Sequence, residues 1–255
     1  MRLLRSACIA LSMYTRLPVP QFSWEEDDMQ YAICFFPLAG VLTGAVLYGW
    51  LFAAERLGLP AAARCIIAAL LPLLITGGIH ADGFMDTSDA LQSFGGRERR
   101  LEILKDPHIG AFAVIKLLCL AGIYLSAVFC LKEQAYLPWA CSFFFSRALS
   151  AFAAVRWKKA KQEGSLNRFS AAGAERRASA VILAEILTGG FLMIRTGLLP
   201  GASAAAAGIL SMAYYRRMSS KEFGGITGDL AGWFVCVCET AMVCAMAASG
   251  YMRGI

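Results

Sequence analysis

Long uncharged apolar runs, broken at short intervals by polar segments, set the pattern of the chain. Tyr31–Ala54 carries no charge at all, and Ala61–Ile79 carries only Arg64 near one end. Ile109–Leu131 contains only Lys116, and Gln134–Val155 only Arg147. Ala178–Ile194 is interrupted by Glu185 alone, Thr196–Tyr215 is uncharged, and Leu230–Met252 contains only Glu239. Crossing a bilayer as a helix takes roughly 20 apolar residues. The pattern therefore predicts seven spans, the fifth and sixth so close that they form a tight helical hairpin or a re-entrant pair. Residues 3–15 are shorter and flanked by Arg2, Arg5 and Arg16, which predicts an interfacial helix with its cations in water. The expectation is an all-α polytopic membrane helix bundle of about seven spans. It forms one integral-membrane domain over 1–255, with an interfacial segment at 1–30 and the bundle at 31–252.

Composition supports this. Of 255 residues, 58% are hydrophobic and 16% charged, with a mean hydropathy of +0.58. A soluble domain carries about 25% charged residues. The apolar surplus implies contact with membrane lipid, and no nucleic-acid partner is expected. The nine cysteines lie almost all in apolar runs without a C-x-x-C pair, so they read as small hydrophobes. Two histidines are too few for a histidine-based zinc cluster. The stretch Ala7–Met13 is short and leads into TRLPVP, not into a small-residue cleavage site, so no cleavable signal is expected.

Charge fixes the expected orientation. With seven spans, one side holds 17 Lys and Arg residues, in 1–30, 80–108, 156–177 and 216–229. The other side holds 5: Arg56, Arg64, Lys132, Arg195 and Arg253. The positive-inside bias places the first side in the cytoplasm, with the N-terminus inside and the C-terminus outside. All the motif-like polar segments fall on that side.

The strongest of them is GGIHADGFMDTSDAL, Gly77–Leu91. Asp82, Asp86 and Asp89 are spaced i, i+4 and i+7, so a helix puts all three carboxylates on one face. Stacked like charges repel unless a cation neutralises them. An all-oxygen donor set suits Mg²⁺, which takes a few carboxylates and completes its shell with water and phosphate oxygens. That chemistry favours phosphoryl transfer. The competing reading is a solvated acidic helix start, which accounts for Asp82 but not for a third carboxylate in register among Phe84, Met85 and Leu91.

Three further segments follow. In Gly95–Phe112, Arg97, Arg99, Arg100 and Lys105 alternate with Glu98, Glu102 and Asp106, in part as a salt-bridged surface helix. Lys105 and Asp106 then stand at the membrane surface before Pro107, within reach of a phosphate and a metal. FGGITGDLAGW, Phe223–Trp233, offers a glycine-rich turn at which Gly225, Thr227 and Gly228 could cradle a phosphate, with Asp229 opening the last span. Arg156–Arg177 holds seven cations, suited to anionic lipid or to capture of an anionic nucleotide. Within the spans, Arg147 either snorkels or lines the site. Glu185 and Glu239 are expected to make buried hydrogen bonds to neighbouring helices.

At these residues the chain resembles the cobalamin synthase family, the adenosylcobinamide-GDP ribazoletransferases. The resemblance runs nearly end to end: YTRLPVP (Tyr14–Pro20), FFPLAGVLTG (Phe35–Gly44), the acidic segment, KDPHIGAF (Lys105–Phe112) and GGITGD (Gly224–Asp229). It implies an Mg²⁺-dependent enzyme of the bacterial inner membrane. That enzyme joins α-ribazole or its 5′-phosphate to adenosylcobinamide-GDP and releases GMP. It also implies metal-ligand roles for Asp82, Asp86 and Asp89, with Asp106 and Asp229 at the two other acidic positions. On this scheme His80, Lys105 and Arg147 contact substrate, and Asp229 orients the attacking group. The chain departs from the family pattern at Ala81, where an acidic residue is common, and at Ala90, His108 and Ala113, where Gly, Arg and Gly are frequent. The first departure removes one potential ligand and leaves the three-carboxylate core. Two alternatives remain: a membrane transferase for CDP-activated lipids, whose Asp-rich motif matches poorly because Ile79 stands at its upstream acidic position, and a cation or vitamin transporter. The sequence leaves the oligomeric state open, a homodimer included.

Overall fold

The computed structural model describes residues 2–20, 31–160 and 172–251. Residues 21–30, half of the basic segment (161–171) and the end of the last expected span at Met252 lie outside the described residues.

The described residues form ten α-helices and one isolated parallel bridge, Lys159 with Ile226. Helix α1 is Arg2–Tyr14, at the place of the expected interfacial helix. A 3₁₀ turn at Ile33–Phe35 leads into α2, Phe36–Arg56, with Pro37 in the first turn, where its missing N–H costs nothing. Helix α3 is Ala61–Thr76, α4 is Ile79–Gln92 and α5 is Arg97–Ile103. Helix α6 is Ala111–Phe129, and α7, Tyr136–Arg156, follows a 3₁₀ turn. Helices α8 (Ala172–Thr196) and α9 (Leu198–Met218) are joined by Gly197 alone, the tight hairpin expected. A π-helical turn, Ser219–Phe223, precedes α10, Gly228–Tyr251.

Each of the seven expected spans has its helix. Five stretches are long and apolar enough to cross a membrane by themselves, and α3 with α4 makes a sixth if the pair is one broken span. The pair is bent by 90°. The expected second span ended at Ile79; its helix ends at Thr76, because Gly77 and Gly78 take φ of +66° and +82°. Such angles suit glycine and close a helix. The acidic segment thus belongs to a separate helix turned across the end of α3, and we count α4 outside the spans. The turn is clasped from the N-terminal side, where the Arg16 N–H donates to the Ile75 carbonyl at 2.8 Å.

Helix α7 is not among the five, because Ser142, Ser146, Arg147 and Ser150 lower its hydropathy. It is the centre of the bundle: fifteen of its 21 residues are buried. Its neighbours are protein and not lipid, so polar side chains are tolerated if paired. Helix α6 is the opposite case. Leu118, Ile115 and Ile123 are exposed on it, as a lipid face requires. Helix α2 lies against α7 through Gly40 and Gly44, spaced i, i+4. A Cβ at either would strike a carbonyl of α7, that of Phe143 or of Ala140. Small residues at this spacing let backbones approach, which is how helices associate where lipid is as apolar as leucine.

Overpacking a tight contact costs about 1–3 kcal/mol. Gly40→Ala or Gly44→Ala is expected to lower the unfolding temperature in detergent micelles by several degrees. Gly49→Ala, which meets nothing within 4 Å, leaves it unchanged.

Candidate active site

Four carboxylates come together where α4 crosses the start of α10. On α4, Asp82 is exposed and Asp86 and Asp89 are half-buried, while Gly83, Phe84, Thr87 and Ser88 face the bundle. Gly83 is the crossing point. A Cβ there would stand 2.7 Å from the Asp229 carbonyl oxygen and 3.0 Å from its Cα. Gly232, on the next turn of α10, lies as closely on the His80 backbone, a Cβ there standing 3.2 Å from the His80 carbonyl oxygen. The start of α10 is fixed by Thr227, whose hydroxyl accepts the Leu230 N–H at 3.2 Å in the manner of an N-cap and lies 3.5 Å from the Asp229 carboxylate. The Asp86 carboxyl is pushed up to about 6, first by burial and then by Asp82, Asp229 and Asp89. The four residues therefore form one electrostatic cluster around Asp86.

Asp89 also has a structural task. Its two oxygens accept the N–H groups of Gly110 at 2.6 Å and Ala113 at 2.8 Å. Gly110 gives α6 no side-chain cap of its own, so Asp89 caps that helix from α4 and neutralises two of its orphan donors. Asp106 and Lys105 stand in the exposed loop after α5. Asp106 accepts the His108 N–H at 3.0 Å and meets His108 Nδ1 at 2.7 Å, and these bonds hold its carboxyl below the usual range. It is not among the carboxylates that act on Asp86.

The glycine-rich turn serves backbone approach. A Cβ at Gly225 would collide with the backbone of Lys158–Ala160. There the Ile226 N–H donates to the Lys158 carbonyl at 2.9 Å, and the Ala160 N–H to that of Ile226 at 3.0 Å. The start of the basic segment is thereby tied two to three residues from Asp229, with Gly228, exposed, as the first residue of α10. Two of the three cations of α5 are spent on the π-helical turn, and the third, Arg99, pairs with Glu102. Arg97 donates to the carbonyls of Lys221 at 3.0 Å and Ser220 at 3.2 Å, and Arg100 pairs with Glu222.

Arg147 neither snorkels nor faces the carboxylates. It is fully buried, donates to Glu239 at 2.6 Å and to the Phe143 carbonyl at 3.0 Å, and Ser146 donates to the same Glu239 oxygen at 2.8 Å. Glu239 thus makes the buried inter-helix bond expected of it. Removing one partner of such a pair strands the other's charge, which costs more than the pair itself contributes. His80 points away from the carboxylates, packed between Tyr14 and Phe36 with ring centroids at 6.3 and 5.7 Å. Burial and the Arg147 guanidinium hold its imidazole well below the usual range, so it is neutral.

Among the described residues, no three His, Cys, Asp or Glu side chains close on a point as a metal cage does. An all-protein cage is not what Mg²⁺ requires. Asp82, Asp86 and Asp229 offer hard oxygen donors gathered in one place, and they fit a cation held by a few carboxylates, water and phosphate.

The fold and the site together define a multi-pass helical membrane protein that gathers carboxylates against the start of a span. The family model for cobalamin-5-phosphate synthase matches residues 6–247, and the chain belongs to that family. Among curated relatives, an adenosylcobinamide-GDP ribazoletransferase of Lachnoclostridium phytofermentans is 42% identical over 244 residues, covering 94% of this chain and 92% of the relative. Relatives of the same name from Geobacillus kaustophilus and Clostridium perfringens are 31% and 29% identical, with 92% and 91% of this chain covered and 92% of each relative. The chain is accordingly a transferase. No solved structure matches it.

An acid whose value is raised to about 6 is protonated below that pH, and a bound cation must displace the proton. Mg²⁺ affinity, measured by titration calorimetry, is expected to fall about tenfold per pH unit below about pH 6 and to level off above it. Asp86→Asn should bind more weakly and lose this dependence.

Proposed function

We propose that the chain joins α-ribazole or its 5′-phosphate to adenosylcobinamide-GDP. A ribazole hydroxyl oxygen attacks the corrinoid-side phosphorus of the pyrophosphate. A new P–O bond forms, the P–O bond to GMP breaks, and the hydroxyl proton passes to a carboxylate. GMP leaves with the bonding electron pair. Family membership and the names of the relatives favour this reading over a CDP-alcohol transferase or a transporter. The observation that carries it within the molecule is the cluster of Asp82, Asp86 and Asp229 at the α4–α10 crossing.

In this reading Asp82 and Asp86 hold Mg²⁺. When bound, the cation offsets the charge that builds on the pyrophosphate oxygens. Asp229, at the first turn of α10, would hold the same cation from across the crossing and orient the attacking hydroxyl. Asp89 supports the site by fixing α6 to α4, and its place among the metal ligands is secondary to that. Lys158 and Lys159, tied to the glycine-rich turn, offset phosphate charge in the part given at first to Arg147. Lys105 attracts an incoming anion from its exposed loop, which Asp106 braces through His108. Phosphoryl transfer is mostly positioning and electrostatics, so no covalent enzyme intermediate is needed. The positive-inside bias supports a cytoplasmic N-terminus and a cytoplasmic site in the bacterial inner membrane, where nucleotides are available.

The test is GMP release from adenosylcobinamide-GDP and α-ribazole by protein in nanodiscs. Release is expected to need Mg²⁺, to stop with EDTA, and to fall about a hundredfold or more in Asp82→Asn, the scale of a lost charge-stabilising group. Near-normal Mg²⁺-dependent release by Asp82→Asn would overturn the assignment.

A further inference from the structure

Beneath the carboxylates lies a cavity of about 220 Å³ to which none of the proposed catalytic groups belongs. Its walls come from α3, α6 and α10, and include Leu70, Leu73, Leu120 and Cys236. Its upper rim is Thr76, His80 and Ala81, so it reaches α4 at the residue before Asp82. Cys236 is seven residues along α10 from Asp229, about 10 Å of helix. The cavity thus runs from just below the carboxylates into the bundle.

Two features make it a binding site instead of a packing defect. First, buried polar atoms on its lining lack partners. His80 Nε2 has none, and neither has Arg147 Nε, although both residues are buried. A buried polar atom without a partner is costly, and a ligand atom in the cavity would remove that cost. Second, apart from Thr76, Tyr124, Glu239 and Thr240 the rest of the lining is apolar, so the cavity pairs a mostly apolar body with a few hydrogen-bonding groups, as small-molecule sites do.

Resting on the transferase reading above, we propose that this cavity takes the base of the ribazole substrate, a methylated benzimidazole. A cavity of roughly 150 Å³ holds a benzene ring, so the space suits a flat bicyclic arene with two methyl groups. The corrin ring is far too large for it. A lipid chain would leave His80 Nε2 without a partner. The free ring nitrogen of the benzimidazole accepts from His80 Nε2–H, and the ribose then stands at the rim by Ala81, next to the carboxylates. His80 serves as a binding residue for the second substrate and is kept out of the phosphoryl chemistry.

The test separates the two substrates and has a readout independent of turnover. Binding of free 5,6-dimethylbenzimidazole to the full-length protein in nanodiscs is measured by equilibrium dialysis, alongside KM for each substrate. Ala69→Phe, which fills the cavity from α3, is expected to weaken benzimidazole binding and raise KM for α-ribazole by about tenfold, the scale of one lost apolar subsite. KM for adenosylcobinamide-GDP stays within about twofold. His80→Phe keeps the ring between Tyr14 and Phe36 but removes the nitrogens. It should raise the same two constants about fivefold, and it carries the test alone if Ala69→Phe fails to assemble. Benzimidazole binding unchanged in His80→Phe, or a rise confined to the corrinoid KM, overturns the proposal. So does co-purified lipid that is lost in Ala69→Phe while benzimidazole fails to bind the parent protein. If the parent binds benzimidazole at this cavity yet releases no GMP, the transferase reading fails and the base-binding cavity stands.

Discussion

The right-angle break between α3 and α4 is the constraint on which the site depends. Had the chain continued as one helix past Thr76, the acidic segment would have run along the bilayer normal, and its carboxylates would have spread over about two turns of depth. Two successive glycines with positive φ stop the helix and turn it by 90°. Only then does Gly83 reach the Asp229 backbone and place the start of a distant span beside Asp82 and Asp86. A side chain at Gly77 would be strained by its φ and would strike the Arg16 side chain. The YTRLPVP segment and the glycine pair are therefore one device, in which the N-terminal strap holds the turn that presents the carboxylates.

The bundle beneath is built on close backbone contact and one buried charge pair. Glycines on α2 admit the carbonyls of α7, and Gly201 on α9 admits that of Met193 on α8. Helix α7, enclosed on most of its surface, carries Arg147 to Glu239 on α10. That pair ties the central helix to the helix that begins with Asp229, so the same α10 is anchored at its first turn by Gly83 and three turns further by Arg147. Its rigidity sets the position of Asp229 relative to α4.

Much of this was legible in the sequence because lipid imposes a strong pattern. Seven apolar runs became seven helices, and the i, i+4, i+7 spacing placed Asp82, Asp86 and Asp89 on one face. What was not legible depended on partners distant along the chain. Arg147 looked able to snorkel because the sequence does not show that Glu239 lies across from it. Asp89 looked like a third metal ligand, but α6 starts at a glycine without a cap, and that missing cap was the one signal that a carboxylate from elsewhere had to supply it. His80, two residues before Asp82, lies about 200° round the helix from it and so faces the cavity and not the cations. Gly225 looked like a phosphate cradle; its tightest neighbours are the backbone of the basic segment. For the helical residues local spacing gave the face correctly, and the packing of another segment decided what that face met.

The central claim is that α4 and the first turn of α10 form a single cation site from which the α5–α6 loop is excluded. Mn²⁺ binding followed by electron paramagnetic resonance, with no substrate present, tests it directly. The account predicts that Asp82→Asn and Asp229→Asn each weaken binding by about tenfold or more, as loss of one charged ligand should, while Asp106→Asn binds like the parent. Parent-like binding by Asp229→Asn, together with loss in Asp106→Asn, would contradict it.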